Sequence, residues 1–537
     1  MILLHGSAGL ACDPELNDKS CESFGQRRLR EANMSDTTAT AGQGHITGFG
    51  TKGYRSYVLI ALMLVYTLNF IDRTLITVVA QPIINEFQLS DTQWGLLAGP
   101  PFALFYALMG IPIAMWADRA NRVVIITLCI IIWSLMTALC GVASGFIWLL
   151  IFRVGVAVGE AGCTPPANSI ITDYYPPRSR AGALGIYSMG VTIGGVLAQL
   201  FGGTIAGISG EDFGAWLGSL GLGGLFSGVD WSTVGGWRIA FVVVGVPGII
   251  IALVLFFTIK EPPRGYSDPP LETDTTKKVG FFDAFREFSP KPTFWWLSMG
   301  AAVVAFVGYG LISFQAPFLQ RVHGIGVRDA AILYGAPLAA VAAGGTFLGG
   351  FLSEKLEGRF PTVAAWLPGV GLILSVPAYV GAFFAPSLSL AFILWVFAAI
   401  CHYSYLGAQY TVGTGIVSPK SRATTISVLL LIVSLIGNGI GPLFTGVMSD
   451  FFMNAEIAGA GLTELAADFN PRLCATDPDA IGANGPELCQ AYADGLRHSM
   501  AATACFLILA GICYILAARY FARDRYNPAA PAPGKIA

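Results

Sequence analysis

The sequence predicts an all-α polytopic membrane protein, twelve transmembrane helices arranged as two six-helix halves. Three observations predict it. Of 537 residues, 54% are hydrophobic and only 12% charged, more apolar surface than a water-soluble core can hide. Twelve apolar runs follow one another, each long enough to cross about 30 Å of hydrocarbon. Two pairs of polar loops also recur in register. ADRANR (Ala117–Arg122) follows the second run and SEKLEGR (Ser353–Arg359) the eighth, while PPRSRA (Pro176–Ala181) follows the fourth and SPKSRA (Ser418–Ala423) the tenth. Parallel six-helix repeats are a transporter architecture, with substrate held near the midplane between them.

Residues 1–55 read as a polar, disordered tail. Met34 is a second candidate start, and no basic segment followed by an apolar core and cleavage site marks a signal peptide. Runs at about 57–84, 93–116, 123–143, 146–172, 183–207 and 237–259 make an N-terminal bundle, residues 56–259. A connector rich in proline and charge, 260–293, carries a short amphipathic stretch at Phe281–Phe288. Runs at about 294–318, 330–352, 361–384, 387–414, 425–448 and 497–519 make the C-terminal bundle, 294–519, before a tail of 520–537.

Charge placement orients the chain. From Lys52 onward, loops on the side of the termini hold twenty Lys and Arg residues, against Arg321, Arg328, Arg472 and Arg497 on the other. The positive-inside rule therefore places both termini in the cytoplasm of a cell with this chain in its inner (plasma) membrane. The formal net charge of −2 gives no reason to expect nucleic acid, and a monomer is expected. Ten cysteines include no CxxC and no Cys/His spacing suited to a metal, so neither metal nor cofactor is expected. Cys474 and Cys489, in the long loop Asp450–Leu496, lie where disulfides persist. Their spacing alone fits a bridge or two free thiols.

Function is read from the polar residues inside the runs. Arg153 and Glu160 lie two turns apart on one helix face, in RVGVAVGEAG, with Gly155 and Gly159 placed for a close helix neighbour. Asp72 sits deep in the first run with Arg73 beside it, and Asn69 shares the Arg73 face at i, i+4. Each ionised side chain costs at least about 2.5–3.5 kcal/mol at mid-bilayer unless it meets water or a partner. Two carboxylates and two arginines therefore read either as a structural tie between helices or as a coupling site. In the second reading Asp72 and Glu160 exchange protons, and the arginines they release bind an anionic substrate. The C-terminal half contributes no interior carboxylate. Its polar residues Gln315, His402 and Gln409, with Tyr309 and Tyr405, are the candidate lining of an aromatic wall suited to an amphiphile. Lone His402 also fits a hydrogen-bonded core position. No His/Asp or Ser/His constellation near an interface suggests an enzyme, and no Walker loop suggests ATP-driven transport.

These residues resemble the major facilitator superfamily over about residues 55–520. The family's loop after the second helix is similar to Ala114–Arg122, with Ala114 and Asn121 in place of two glycines. The resemblance implies a gate on the cytoplasmic side formed by Asp118, Arg119 and Arg122 with Glu354 and Arg359. Asp118 is expected at a helix N-terminus, paired to an arginine. NFIDR (Asn69–Arg73), ADRANR, RVGVAVGEAG and YYPPRSRA are more narrowly similar to the Spinster branch. That likeness implies alternating access with proton-linked movement of sphingolipids, lysophospholipids or related amphiphiles. Related symporters of small organic anions such as sugar acids carry similar motifs, and for them Arg73 and Arg153 would hold a carboxylate.

Overall fold

The computed structural model describes residues 47–268, 281–464, 469–471, 473–476, 478–482 and 484–527. The expected disordered tail therefore lies, up to residue 46, outside the described residues. Twelve helices among those described are long and apolar enough to span a membrane. They are α1 (Lys52–Val78), α2 (Asp91–Ala117), α3 (Arg122–Cys140), α4 (Phe146–Tyr174), α5 (Pro177–Ala206) and α6 (Gly236–Thr258) in the first half. The second half has α7 (Pro292–His323), α8 (Val327–Glu357), α9 (Val363–Phe383), α10 (Leu388–Gly415), α11 (Arg422–Gly459) and α12 (Gly485–Asp524).

Local sequence sets the ends and interruptions. Thr51 caps α1, its side chain accepting from the Tyr54 amide, so the helix starts a few residues before the expected edge of the tail. Ser90 and Gln93 form a capping box at the start of α2. That helix then breaks at Gly99, with φ −114° and ψ −93°. Pro100 and Pro101 follow, lack amide hydrogens and disfavour a helical residue before them. In α4 the break comes at Gly162 and Cys163, ahead of Pro165 and Pro166.

The α11 and α12 helices outrun their apolar stretches. Both continue past the hydrocarbon as a packed pair, and Ile457, Leu462, Leu488 and Ala491 form their own buried cluster. Hydropathy falls where polar residues begin, but helix–helix packing keeps the turns going. A disulfide joins Cys474 to Cys489 in this region. The connector helix is Phe281–Phe288. Glu287 on it accepts from the Ser418 amide and from the Ser418 and Ser421 hydroxyls, fixing it to the foot of α11.

The end of the bundle that carries the arginine-rich loops is called here the basic end. The two halves meet at the opposite end. Among the described residues, every hydrogen bond between halves lies there, from Arg321, Trp94, Ser449 and the amides of Asp91 and Thr92. One buried apolar cluster runs across both halves from Leu75 to Phe521. A separate cluster, Val58 to Ile259, fills the basic end of the first half alone. The halves therefore part toward the basic end.

Candidate functional site between the two halves

Glycine brings the charged helices together. A Cβ on Gly159 would sit 2.7 Å from the Trp133 amide nitrogen, and one on Gly155 2.7 Å from Met136 Cγ, so α4 lies hard against α3. On the other side Gly190 and Gly194 lie against α1 at Met63 and Thr67.

Arg73 on α1 reaches across to Glu160 on α4. Its Nε and Nη2 both donate to Glu160 Oε2, at 3.1 and 2.9 Å. The Glu160 side chain is fully buried, whereas Arg73 keeps 18% of its exposure. Aromatic faces surround the guanidinium, with Phe70, Phe102 and Tyr106 at 5.2, 5.0 and 4.7 Å. Arg153 lies 5.0 Å from the Phe102 ring, so the two arginines share it. Buried Asp72 lies beside Arg153, Trp133 and Thr137, and Arg153 is in electrostatic range of both Glu160 and Asp72. Asn69 lies beside Glu160.

The site holds spare hydrogen-bonding capacity. Asp72 Oδ1, Glu160 Oε1, Asn69 Nδ2 and Arg153 Nε are all buried with no partner at hydrogen-bond geometry. Two acids and two guanidiniums with unfilled positions can exchange partners at little structural cost.

The second half contributes hydroxyls and rings. Tyr309 on α7 is close enough to Arg73 to interact electrostatically, and likewise to Tyr403, Tyr405 and Tyr410. Tyr405 and Gln409 are buried beside that group, and Gln409 Oε1 has no partner. Gln315 lies further along α7, its Nε2 buried and unpaired, lining a small crevice with Thr77 and Gln199. His402 is buried in α10, its Nδ1 3.1 Å from the Tyr379 hydroxyl and its ring stacked on Tyr403. That environment is the packing of α9 against α10.

The loop after α2 differs from expectation. Asp118 caps the C-terminus of α2, not the N-terminus of a helix, and is exposed with no ion-pair partner among the described residues. Arg119, Glu354 and Arg359 are exposed as well. Among the described residues the Arg359 side chain meets only the neighbouring Phe360 ring, at 5.6 Å, and Arg122 is the one of the five with ion-pair partners. Fully buried, it donates to Asp173 at 2.5 Å, Glu261 at 2.6 Å, Ser169 at 2.7 Å and the Pro262 carbonyl at 2.8 Å. These contacts stay within the first half and the chain leaving it. The physical reason is the gap at the basic end, which leaves Asp118 facing no second helix.

Sequence reasoning missed the closure at the opposite end. Arg321, at the end of α7, grips Asp91 with two parallel hydrogen bonds of 2.7 Å and Gln81 with a third of 2.7 Å. Ser449 donates to Asp91 at 2.6 Å, and the Tyr492 ring covers the guanidinium at 3.9 Å. Asp450 accepts from the Asp91 and Thr92 amides at 3.1 and 2.8 Å, capping α2 from the other half. Asp91 and Arg321 look in sequence like ordinary charges at span ends. Only their pairing across 230 residues gives them a role.

Two six-helix halves, joined at one end and parted at the other around a buried ionic cluster, define a secondary transporter. Residues 62–442 match the family model described as Major Facilitator Superfamily, and the chain belongs to that family. Within it the chain is a transporter of the Spinster type. It is similar to a solved structure described as a bacterial homolog to human lysosomal transporter Spinster, in inward-facing and unoccupied conformation. The identity is 71%, covering 89% of this chain and all of that one, with a TM-score of 0.86. It is also 28% identical to an MFS-type efflux pump of Mycolicibacterium smegmatis, over 81% of this chain and 94% of the relative. Identity to the protein spinster of Drosophila melanogaster is 24%, over 88% and 78%.

Proposed function

We propose that this transporter moves an amphiphilic, lipid-like anion of the sphingolipid or lysophospholipid class, coupled to protons. In this reading the basic end and both termini face the cytoplasm of an inner (plasma) membrane, and the conformation is inward-open. The supporting observation is Arg73, held by a fully buried Glu160 yet still 18% exposed and within electrostatic range of Tyr309 of the other half.

The coupling follows from the charges. A proton on Glu160 cancels its charge and weakens its hold on Arg73, which then takes the anionic head group. Arg153 meanwhile remains balanced by Asp72. Release of the substrate returns Arg73 to Glu160 and favours loss of the proton. The scheme runs in either direction, as the gradients dictate. The aromatic wall of Tyr309, Tyr403, Tyr405 and Tyr410 suits the chain and linker of an amphiphile, because ring faces bury methylenes while hydroxyls meet polar linkers.

A proteoliposome uptake screen across lysophospholipids, sphingoid bases and sugar acids, with and without a pH gradient, tests this reading. Flux of an amphiphile that follows the gradient is expected. Flux of sugar acids alone would transfer the site to a small-anion symporter, which leaves the tyrosine wall without an occupant. Amphiphile flux indifferent to the gradient would remove the proton.

A further inference from the structure

Between α5 and α6, residues 208–235 form a segment with a short helix of its own, Gly210–Ser219. Its charges are Glu211, Asp212 and Asp230, and it contains no Lys or Arg. Ser209 caps the helix, its hydroxyl accepting from the Asp212 amide. The segment is closed at its base. A Cβ on Gly236 would meet the carbonyls of Ala206 and Ile208, and one on Gly210 those of Trp231 and Val234. From Ala206, the end of α5, to Gly210 the chain reaches about 14 Å at full stretch. The loop helix is thus held close to the level where α5 and α6 leave the bilayer, at the end opposite the basic end.

Helical spacing divides the loop helix into three edges. Gly210, Gly214 and Leu217 make the inner edge. The Trp231 ring lies 2.6 Å from where a Gly214 Cβ would stand, and Leu217 is buried. Phe213 and Phe226 complete this small core, their rings 5.7 and 6.1 Å from that of Trp231. The second edge, Glu211, Ala215 and Ser219, is small or acidic. The third edge is Trp216 and Leu220, at i, i+4. It is apolar, yet both side chains are 54% exposed. Leu222, Phe226 and Val229, in the turns that follow, are exposed as well. A contiguous apolar surface left uncovered marks an interaction site. The flanking spans present a surface of the same kind, with Phe201 exposed on α5 and Val242 and Val246 on α6; on the spans, that surface meets hydrocarbon.

We propose that the loop helix lies on the membrane leaflet opposite the basic end, with Trp216 and Leu220 inserted among the head groups and upper acyl chains. Three observations select a bilayer as the occupant. The helix begins within a short reach of a span end. Tryptophan on its apolar edge suits the boundary between head groups and hydrocarbon. Its three edges give protein, lipid and water one side each, as a helix lying in the interface requires. With no Lys or Arg in the segment, insertion of apolar side chains drives the contact, and a zwitterionic leaflet suffices. The segment then fixes the adjoining ends of α5 and α6 to that leaflet. This inference rests on the twelve-span fold, and on neither the substrate nor the proton.

The test uses the full chain in phosphatidylcholine nanodiscs, in a background of Cys12→Ser, Cys21→Ser, Cys401→Ser and Cys505→Ser. The remaining free thiols, Cys129, Cys140, Cys163 and Cys513, are buried, and Cys474 is bonded to Cys489. Leu220→Cys and Ser219→Cys are labelled separately with an environment-sensitive fluorophore. Both positions are exposed on the loop helix, so neither label displaces core. The Leu220 label should emit to the blue and lose intensity when the lipid carries a doxyl group near the head of its acyl chain. The Ser219 label should do neither. A Leu220 label that emits as in water overturns the proposal. One that emits to the blue but is not quenched is covered by protein, a second copy or another partner, and overturns it too. A second measurement needs no label. In nanodiscs of brominated phosphatidylcholine, Trp216→Phe should lose a smaller fraction of its tryptophan emission than the unsubstituted protein; an equal loss would place Trp216 away from lipid and overturn the proposal.

Discussion

Glu160→Gln provides the sharpest test of the coupling scheme, because it should tighten substrate binding while abolishing coupled transport. An anionic head group must take Arg73 away from Glu160, so part of its binding free energy goes into breaking that pair. Breaking a buried ion pair costs about 3–5 kcal/mol. Here Arg73 is 18% exposed, and the Phe70, Phe102 and Tyr106 rings hold the guanidinium in place when Glu160 lets go, each contributing about 0.5–1 kcal/mol. The remaining cost is about 2 kcal/mol, close to 30-fold in affinity. Glutamine keeps the shape of the side chain and removes the competing charge. Affinity for an anionic lysophospholipid, measured by calorimetry on protein in nanodiscs, should therefore rise by about 30-fold. Gradient-driven flux in proteoliposomes should fall to background, since no proton can leave or enter the residue. Unchanged or weaker binding, or coupled flux at the wild-type level, would refute the exchange of Arg73 between Glu160 and substrate.

Asp72→Asn should also lose gradient-driven flux in the same assay while retaining binding, because Arg153, not Arg73, loses its counter-charge. Arg122→Ala strands Asp173 and Glu261 and should cost about 3–5 kcal/mol, seen as loss of the monodisperse peak on size-exclusion chromatography. Asp118→Asn should leave that peak intact while slowing transport, since Asp118 is exposed with no ion-pair partner among the described residues and acts in another conformation. Arg321→Ala removes three hydrogen bonds at the closed end. It should raise labelling of a Gln315→Cys reporter by a membrane-impermeant thiol reagent applied from the non-cytoplasmic side; unchanged labelling would mean the remaining contacts, Asp450 with the Asp91 and Thr92 amides and Trp94 with Ser313 among them, keep that end shut. A reporter fused after Arg525 should be active only in the cytoplasm and one inserted at Gly461 only outside, and reversal of either would invert the orientation.

The sequence by itself determined the number of spans, the two-fold repeat and which residues carry charge into the bilayer. Each of those is a local property. Twenty apolar residues must cross a bilayer as a helix, and a buried Asp72 or Glu160 announces itself by its cost. That α4 packs closely on a neighbour was also legible, because Gly155 and Gly159 leave room for another helix; that the neighbour is α3 came from the tertiary structure. Tertiary structure decided who pairs with whom. Arg153 and Glu160 share a face, yet Glu160 takes Arg73 from another helix and Arg153 is left beside Asp72. Asp91 and Arg321, ordinary in sequence, become the closure of one end. Asp118, conspicuous in sequence, has no ion-pair partner among the described residues because the halves have parted there. Helical periodicity fixes the direction of a side chain around its own axis; the distance to a residue on another helix depends on how two halves lean, and that balance is set by packing summed over the whole interface.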